Sequence, residues 1–410
     1  MQKLNSILKR NVFACYLSQA VLGTFFQLPI WIVYQSKFLN YSQIAFYSGL
    51  ALVAEVIAQL PTGAFADIVG RKYALSLGNL FMALSMLLIA FYPHESIMTA
   101  YSILWGLGLA FCIGTSKAII YETLNKYGQS QLYPKILSTS VIYFQLSAAI
   151  SIVLGGYLYQ YAPNLPYIAS GLSSLVGVFT SFMFIEEYTA REHTRLHQFI
   201  TTSARGFKEI FKNSYVTKLT VIYAVTLGIA QTSQQFFSQP YMLEIGMNDI
   251  ARSWASMIIK ISIAFLGAKL LTSSKIVDHK YFLVIIPLIM AITFIPAGTI
   301  GLPWAYLILI GIAFNSGNTD LFFSAEINKH LSSSVRSTAI SIQRMFASAF
   351  GVIVQWLSIA VVARHSIGTY YAYLGIFVLI LIIPLAISLS THKHRYDQSV
   401  TITPWSNVEK

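Results

Sequence analysis

Residues 63 to 72 read Gly63-Ala64-Phe65-Ala66-Asp67-Ile68-Val69-Gly70-Arg71-Lys72. One apolar run lies before and into this stretch, near 43–66, and another follows at once, near 73–93. Each has the roughly 20 apolar residues that an α-helix needs to cross a bilayer core. Between them sit three charges, Asp67, Arg71 and Lys72, with a glycine on either side of the aspartate, Gly63 and Gly70. The glycines permit a tight turn and a close helix approach. Asp67, at a helix end, can accept backbone donors from the start of a neighbouring helix, and Arg71 can fork onto a carboxylate. The stretch therefore predicts a charged hairpin between two membrane-spanning helices.

The pattern continues in both directions. Apolar runs lie near 12–36, 43–66, 73–93, 97–122, 136–160 and 166–185, and again near 215–240, 250–273, 281–300, 303–327, 336–363 and 368–390. Twelve helices that each cross the membrane predict an all-α membrane protein. The composition requires lipid as solvent: of 410 residues, 56% are hydrophobic and only 10% charged, against about 25% charged in soluble domains. Mean hydropathy is +0.63. Cys15 and Cys112 lie inside apolar runs and read as small hydrophobes, not as a disulfide or metal site. The first run is too long for a cleavable signal peptide, and no small-residue cleavage site follows it.

The formal charge of +12 would suggest nucleic acid if the bases shared one face. Their distribution excludes that. With both termini placed in the cytoplasm, 20 Lys and Arg fall in cytoplasmic loops and tails, three (Lys37, Arg252 and Arg364) fall outside, and four lie within spans. The positive-inside rule thus predicts a multi-pass protein of the cell (inner) membrane with cytoplasmic termini.

Residues 186–214 form the only long polar connection. The organisation expected is a six-helix bundle over 1–185, this central loop, a second bundle over 215–390 and a cytoplasmic tail over 391–410. Residues 199–212 could lie on the membrane surface as an amphipathic helix, and His193 and His197, four apart, read as part of a solvated linker. The two halves also match. Asp67-Ile68-Val69-Gly70-Arg71-Lys72-Tyr73 aligns with Lys275-Ile276-Val277-Asp278-His279-Lys280-Tyr281 at an offset of 208. Gly108, Ala110, Phe111 and Gly114 meet Gly311, Ala313, Phe314 and Gly317 at an offset of 203, and Ser140 and Ser147 meet Ser341 and Ser348 at 201. A duplicated six-span unit is a transporter architecture with its site near the midplane between the repeats.

The Gly63–Lys72 stretch, between the second and third spans, resembles the loop motif of the major facilitator superfamily. Pro61-Thr62 and the run from Gly114 to Leu124 resemble a bacterial branch of it. The resemblance implies that family's fold, two pseudo-symmetric six-helix bundles around a central cavity. It also implies a cytoplasmic latch of Gly63, Asp67, Gly70, Arg71, Lys72 and Glu122, with Asp67 meeting the start of the eleventh span and Glu122 meeting Arg71. Without the latch, these residues set only topology and a turn. The drug–proton antiporter branch carries a Gly-Pro pair before its Gly-Gly in the fifth span. Here Gly155-Gly156 follows Ile152-Val153-Leu154, with no proline.

Ionisable residues inside a span cost roughly 2.5–3.5 kcal/mol each and are functional candidates by default. This chain has six: Glu55, Lys117, Lys260, Lys269, Asp320 and Arg344. At an offset of 203, Lys117 falls on Asp320, so the pair could face across the cavity as a salt bridge or as a cation and a proton site. Alternatively, Lys117 snorkels to the nearby surface. Glu55 is the rival proton carrier, or else a static partner of Lys260. Lys269 and Arg344 lie close enough to the inner face to snorkel. In the seventh span Gln231, Gln234, Gln235 and Gln239 recur at helical spacing and read as substrate-binding amides or as interhelical glue. Gln27, Trp31 and Tyr34 form a weaker counterpart in the first.

The expected function is secondary active transport of a small organic solute by alternating access, coupled to protons. Four intramembrane bases against two acids lean toward an anionic or zwitterionic substrate. No cofactor, metal or enzymatic constellation is expected, and the chain reads as a monomer in the lipid bilayer. The alternatives are multidrug efflux, lipid flipping, or a non-transporting membrane sensor on the same scaffold.

Overall fold

The computed structural model describes residues 2–113, 115–186, 207–208, 210–271, 282–328, 330 and 336–390, and within these helices the side chains of Gly63, Asp67 and Lys269 are among those outside the description. The His193/His197 pair, the second-half copy of the loop motif, the tail and most of the central loop therefore lie outside the described residues. All regular structure among the described residues is helical.

The helices are α1 (Gln2–Leu22), α2 (Trp31–Gln35), α3 (Tyr41–Val69), α4 (Arg71–Phe91), α5 (Met98–Cys112), α6 (Thr115–Lys126), α7 (Tyr133–Tyr161) and α8 (Leu165–Ser181). There follow α9 (Ser214–Thr232), α10 (Ser238–Glu244), α11 (Asp249–Leu271), α12 (Phe282–Phe294), α13 (Ala305–Asn328), α14 (Arg336–Val362) and α15 (Ile367–Phe377). Six described helical stretches are long and apolar enough to cross a membrane on their own. Among the described residues, local features interrupt three of the other apolar runs. The first span is broken, the seventh is interrupted, and the tenth (α13) carries Asn315, Ser316, Asn318, Thr319, Asp320 and Glu326.

Packing divides the chain into two compact units that do not follow the sequence halves. One comprises Met1–His197, Phe236–Ala264 and Gln355–Arg364; the other comprises Gln198–Gln235, Phe265–Val354 and His365–Lys410.

In the first unit, small residues let the helices approach. Lipid supplies no hydrophobic drive between helices, so close backbone contact must hold them together. Gly78 and Gly108 face each other across α4 and α5, where a Cβ on either would lie 3.0 Å from the other's carbonyl oxygen. Cys15 and Cys112 are buried free thiols in the core of this unit.

The first span does not form one helix over 12–36. It starts at Gln2, stops at Leu22 and resumes for one turn at Trp31. Gly23, a weak helix former, and Pro29, which has no N–H, flank the break. Unwound backbone at membrane depth is tolerated only inside protein, and here α7 and α8 provide the cover. The Phe25 N–H donates to Ser151 Oγ at 2.9 Å, Thr24 and Ser173 share a 2.5 Å hydroxyl contact, and Ser170 donates to Gln27 Oε1 at 2.5 Å. A Cβ at Gly155 would overlap the Phe26 carbonyl oxygen.

The same unit draws in pieces of the second half of the sequence. A Cβ at Gly49 on α3 would run into the Trp356 indole, and one at Gly156 on α7 would run into the Ser253 side chain. The Trp356 ring stacks on Phe46 at 5.9 Å, Tyr41 Oη and Ser358 Oγ lie 2.9 Å apart, and Gln355 donates to the Ala45 carbonyl at 2.9 Å and to Ser48. Phe236 packs on Trp31 and Tyr41. At this end of the unit, two glycine notches thus receive residues of α11 and α14.

Candidate functional site

In the second unit Asp320, Arg344 and Tyr223 form a closed triangle. Asp320 lies on α13, whose register places Ser316 one turn earlier on the same face. Tyr223 on α9 donates from Oη to Asp320 Oδ1 at 2.7 Å. Arg344 on α14 donates from Nη2 to Asp320 Oδ2 at 2.6 Å and also hydrogen-bonds Tyr223. The helix bearing Arg344 is fixed next to this point, because the neighbouring Gln343 donates to Thr220 on α9 at 2.7 Å. The Arg344 side chain is 56% exposed and that of Asp320 27%. A guanidinium that open within a membrane-length apolar helix needs water or a polar ligand around it. One turn before Asp320 on α13, Ser316 donates to Gln234 Oε1 at 2.5 Å, just past the end of α9.

Arg344 is held by the Asp320 carboxylate and the Tyr223 hydroxyl. Asp320 has these two partners inside its own unit, whereas Lys117 is a half-buried residue of the other unit, within electrostatic range of Cys15. Tyr223 carried no sequence signal beyond being a tyrosine in an apolar run.

The glutamines of the seventh span do not form one continuous stripe. Residues Ser233–Phe237 make a π-helical turn between α9 and α10, which holds more residues per turn and shifts the helical phase. Gln231 and Gln234 are half-buried and Gln235 exposed, all in the second unit, while Gln239 is buried in the first and donates to Ser256 at 3.1 Å. Tyr34 and Gln27 are buried inside the first unit. Tyr34 donates to the Ile89 carbonyl at 3.1 Å and packs on Tyr167 at 4.7 Å, and Gln27 accepts from Ser170. Glu55 on α3 is half-buried and accepts from Gln59 at 3.1 Å. Lys260, in the same unit, is not brought to it.

At the Gly70 turn, Arg71 Nη2 lies 2.9 Å from Glu122 Oε1. Gly70 adopts φ +113°, a conformation that favours glycine, so α3 can stop and α4 start with only this residue between them. A residue not singled out from the sequence completes this turn. Glu186 accepts the Lys72 N–H at 3.0 Å, at the positive start of α4. Asn11 pins its approach, accepting the Ile185 N–H at 2.9 Å and donating to the Ile185 carbonyl at 3.0 Å. Burial pushes the Glu186 carboxyl above its ordinary value, against the Lys72 and Arg71 backbone donors and charges that pull it down. A carboxyl raised in the fold favours folding most below its unfolded pKa, and that contribution is lost as pH rises through the raised value. Glu186→Gln, which keeps an acceptor for Lys72, should therefore gain melting temperature relative to the parent as pH rises from about 4.5 toward 7. A difference that is flat or shrinks over that range would contradict this account.

The profile of the family described as Major Facilitator Superfamily matches residues 11–354. Among curated proteins, the chain is 22% identical over 229 residues to the uncharacterized MFS-type transporter YxaM of Bacillus subtilis (strain 168), covering 54% of this chain and 55% of the relative. It is 22% identical over 240 residues to multidrug resistance protein 1 of the same organism, covering 58% and 59%. The chain thus spans about half the length of the curated relatives it matches. Among solved structures, the nucleoside transporter NupG superposes with a TM-score of 0.72 at 15% identity, covering 94% of this chain and 98% of that one. A D-xylose–proton symporter superposes at 0.69 and 13%, covering 93% and 99%.

Proposed function

The chain belongs to the major facilitator superfamily, and from that premise we propose that it carries a small organic solute across the cell membrane by alternating access, coupled to protons, with Asp320 as the proton-binding acid. It is a multi-pass membrane transporter rather than an enzyme. The observation that carries the finer reading is the Asp320–Arg344–Tyr223 triangle: an acid and a base, open to polar surroundings, on helices otherwise made for lipid. A buried or half-buried ion pair is seldom a net source of stability, since desolvation offsets the Coulomb gain. It suits a contact that is made and broken.

The closed Asn40 end of the first unit supports the alternating part of the reading. Its glycine notches receive Trp356 and Ser253, an arrangement suited to one of two states. On the orientation expected from the basic loops, that end faces outward, and the Arg71–Glu122 and Glu186–Lys72 contacts lie at the cytoplasmic face. The proton-coupled xylose carrier among the fold relatives is in keeping with coupling.

The test is proton movement in proteoliposomes loaded with a pH-sensitive dye and challenged in turn with uridine, D-xylose, small organic acids and ethidium. One of these classes should drive proton flux in the parent, and Asp320→Asn should remove the dependence on the pH gradient. Glu55→Gln should leave that dependence in place. Gradient-dependent transport by Asp320→Asn would overturn the assignment. Multidrug efflux is favoured by the Bacillus multidrug resistance relative, and ethidium as the one active probe would establish it instead.

A further inference from the structure

We propose that Arg344 is the binding site for the carboxylate of a small monoanionic solute, and that a proton on Asp320 hands Arg344 over to it. This rests on the transport reading above and gives it a substrate class. In the structure Arg344 is occupied by an internal carboxylate. The Asp320 Oδ2 contact at 2.6 Å and the Tyr223 hydroxyl donating to Oδ1 at 2.7 Å together form a two-donor cradle shaped for that group. Charge-assisted bonds of this kind are the strong ones and bind planar anions by geometry as well as charge.

Protonating Asp320 removes the anion from the triangle and leaves the exposed guanidinium without its charge partner on a helix otherwise made for lipid, at a cost in free energy. A solute carboxylate relieves that cost by taking the same two donors: the Arg344 N–H moves from Asp320 to the solute, and the Tyr223 O–H can follow. The neutral Asp320 acid remains beside it with a donor of its own. The Asp320 O–H is the one covalent bond formed, its proton coming from water, and one proton enters with one negative charge. The neighbouring charges support a monoanion over a dianion. Among the described residues, Asp320 and Tyr223 are the ionisable groups that act on Arg344. Of the helices packed against α13, Phe282–Phe294 has no titratable side chain, and α9 offers Tyr223 here, with Tyr215 further along against Glu326 and His330. One guanidinium neutralises one carboxylate. A phosphate dianion would keep an uncompensated charge. Gln234, just beyond α9, and Ser316 on α13 are bonded to each other and offer an amide and a hydroxyl for a polar body.

The test uses the purified full-length protein with acetate, lactate, benzoate and N-acetylalanine as probes. Their primary amides, together with uridine and D-xylose, are the uncharged controls. Thermal unfolding and proton uptake are followed at about pH 5.5 and about pH 8. At least one carboxylate should stabilise the parent at the lower pH, bind at least about tenfold more weakly at the higher one, and take up close to one proton per molecule bound. Its amide should do neither. Asp320→Asn, a mimic of the protonated acid, should bind the same carboxylate equally at both pH values with no proton uptake. Arg344→Gln should lose binding, and Tyr223→Phe should weaken it severalfold while keeping the proton. Size-exclusion profiles identify misfolded variants, and Arg344→Lys, which keeps the charge without the fork, should bind weakly. Silence of every carboxylate in the parent, equal effects of acids and amides, or loss of binding in folded Asp320→Asn would each overturn the proposal. Transport of uridine or xylose alongside silent carboxylates would overturn it too while sparing the transport reading. Proteoliposomes that move none of the probes would count against that broader reading as well.

Discussion

Gly156→Val should fold and yet fail to close the Asn40 end of the first unit. A Cβ at this position would run into the Ser253 side chain where α11 approaches α7. Close-packed interiors switch between discrete arrangements and do not deform smoothly, so the three added carbons favour the alternative in which Ser253 has withdrawn. The readout is a cross-link. Tyr41 and Ser358, in hydrogen-bond contact at this end, replaced together by cysteine should be joined readily by a short thiol-reactive bifunctional cross-linker, which spans the space the tyrosine ring leaves. With Gly156→Val added, the yield should fall by at least about tenfold, with solute-driven proton flux falling in parallel. Gly49→Ala, which collides with the Trp356 indole instead, should act in the same direction from the other notch. Undiminished cross-linking in Gly156→Val would show that the notch tolerates a side chain and that the closure has been misread.

One residue earlier the same helix gives the opposite kind of result. Gly155 faces the Phe26 carbonyl oxygen, which belongs to backbone and cannot rotate aside. Gly155→Leu is expected to damage the fold itself. Overpacking costs about 1–3 kcal/mol where side chains can adjust, and here the unwound segment of the first span has to move. A loss of roughly 5 °C or more in melting temperature is expected, together with poor recovery from the membrane. Gly155→Ala should show a smaller loss of the same sign. The two adjacent positions thus separate a defect in switching from a defect in folding. Variants at 155 and 156 that lose stability equally would erase that distinction.

The sequence announces the turn from Asp67 to Lys72 plainly, since a charged, glycine-flanked interruption between two apolar runs has few other readings. The Arg71–Glu122 contact is legible only through the family motif, because nothing in linear spacing brings residue 122 to residue 71. Glu186 went unread for a related reason. As the first residue of a polar loop it looks solvated, and only the tertiary arrangement puts it over the start of α4. The glutamine stripe failed on a backbone detail, one π turn that breaks the count of 3.6 residues. Arg344 was read as reaching for the surface because hydropathy reports depth along a helix, not what stands across from it. The repeat alignment raised the prominence of Asp320 through Lys117, whereas the partners seen in its unit come from α9 and α14.

The unwound stretch between Gly23 and Trp31 also constrains how the protein is made. Lipid cannot satisfy its free backbone groups. The groups that cover them, Ser151, Gly155, Ser170 and Ser173, lie well over a hundred residues later in the chain. While the ribosome is still synthesising the third and fourth spans, the first has no finished place in the bilayer. It has to wait beside the insertion machinery or at the water interface until the fifth and sixth emerge. Birth order and assembly order therefore differ in this half of the molecule: a segment made earlier settles only after later ones.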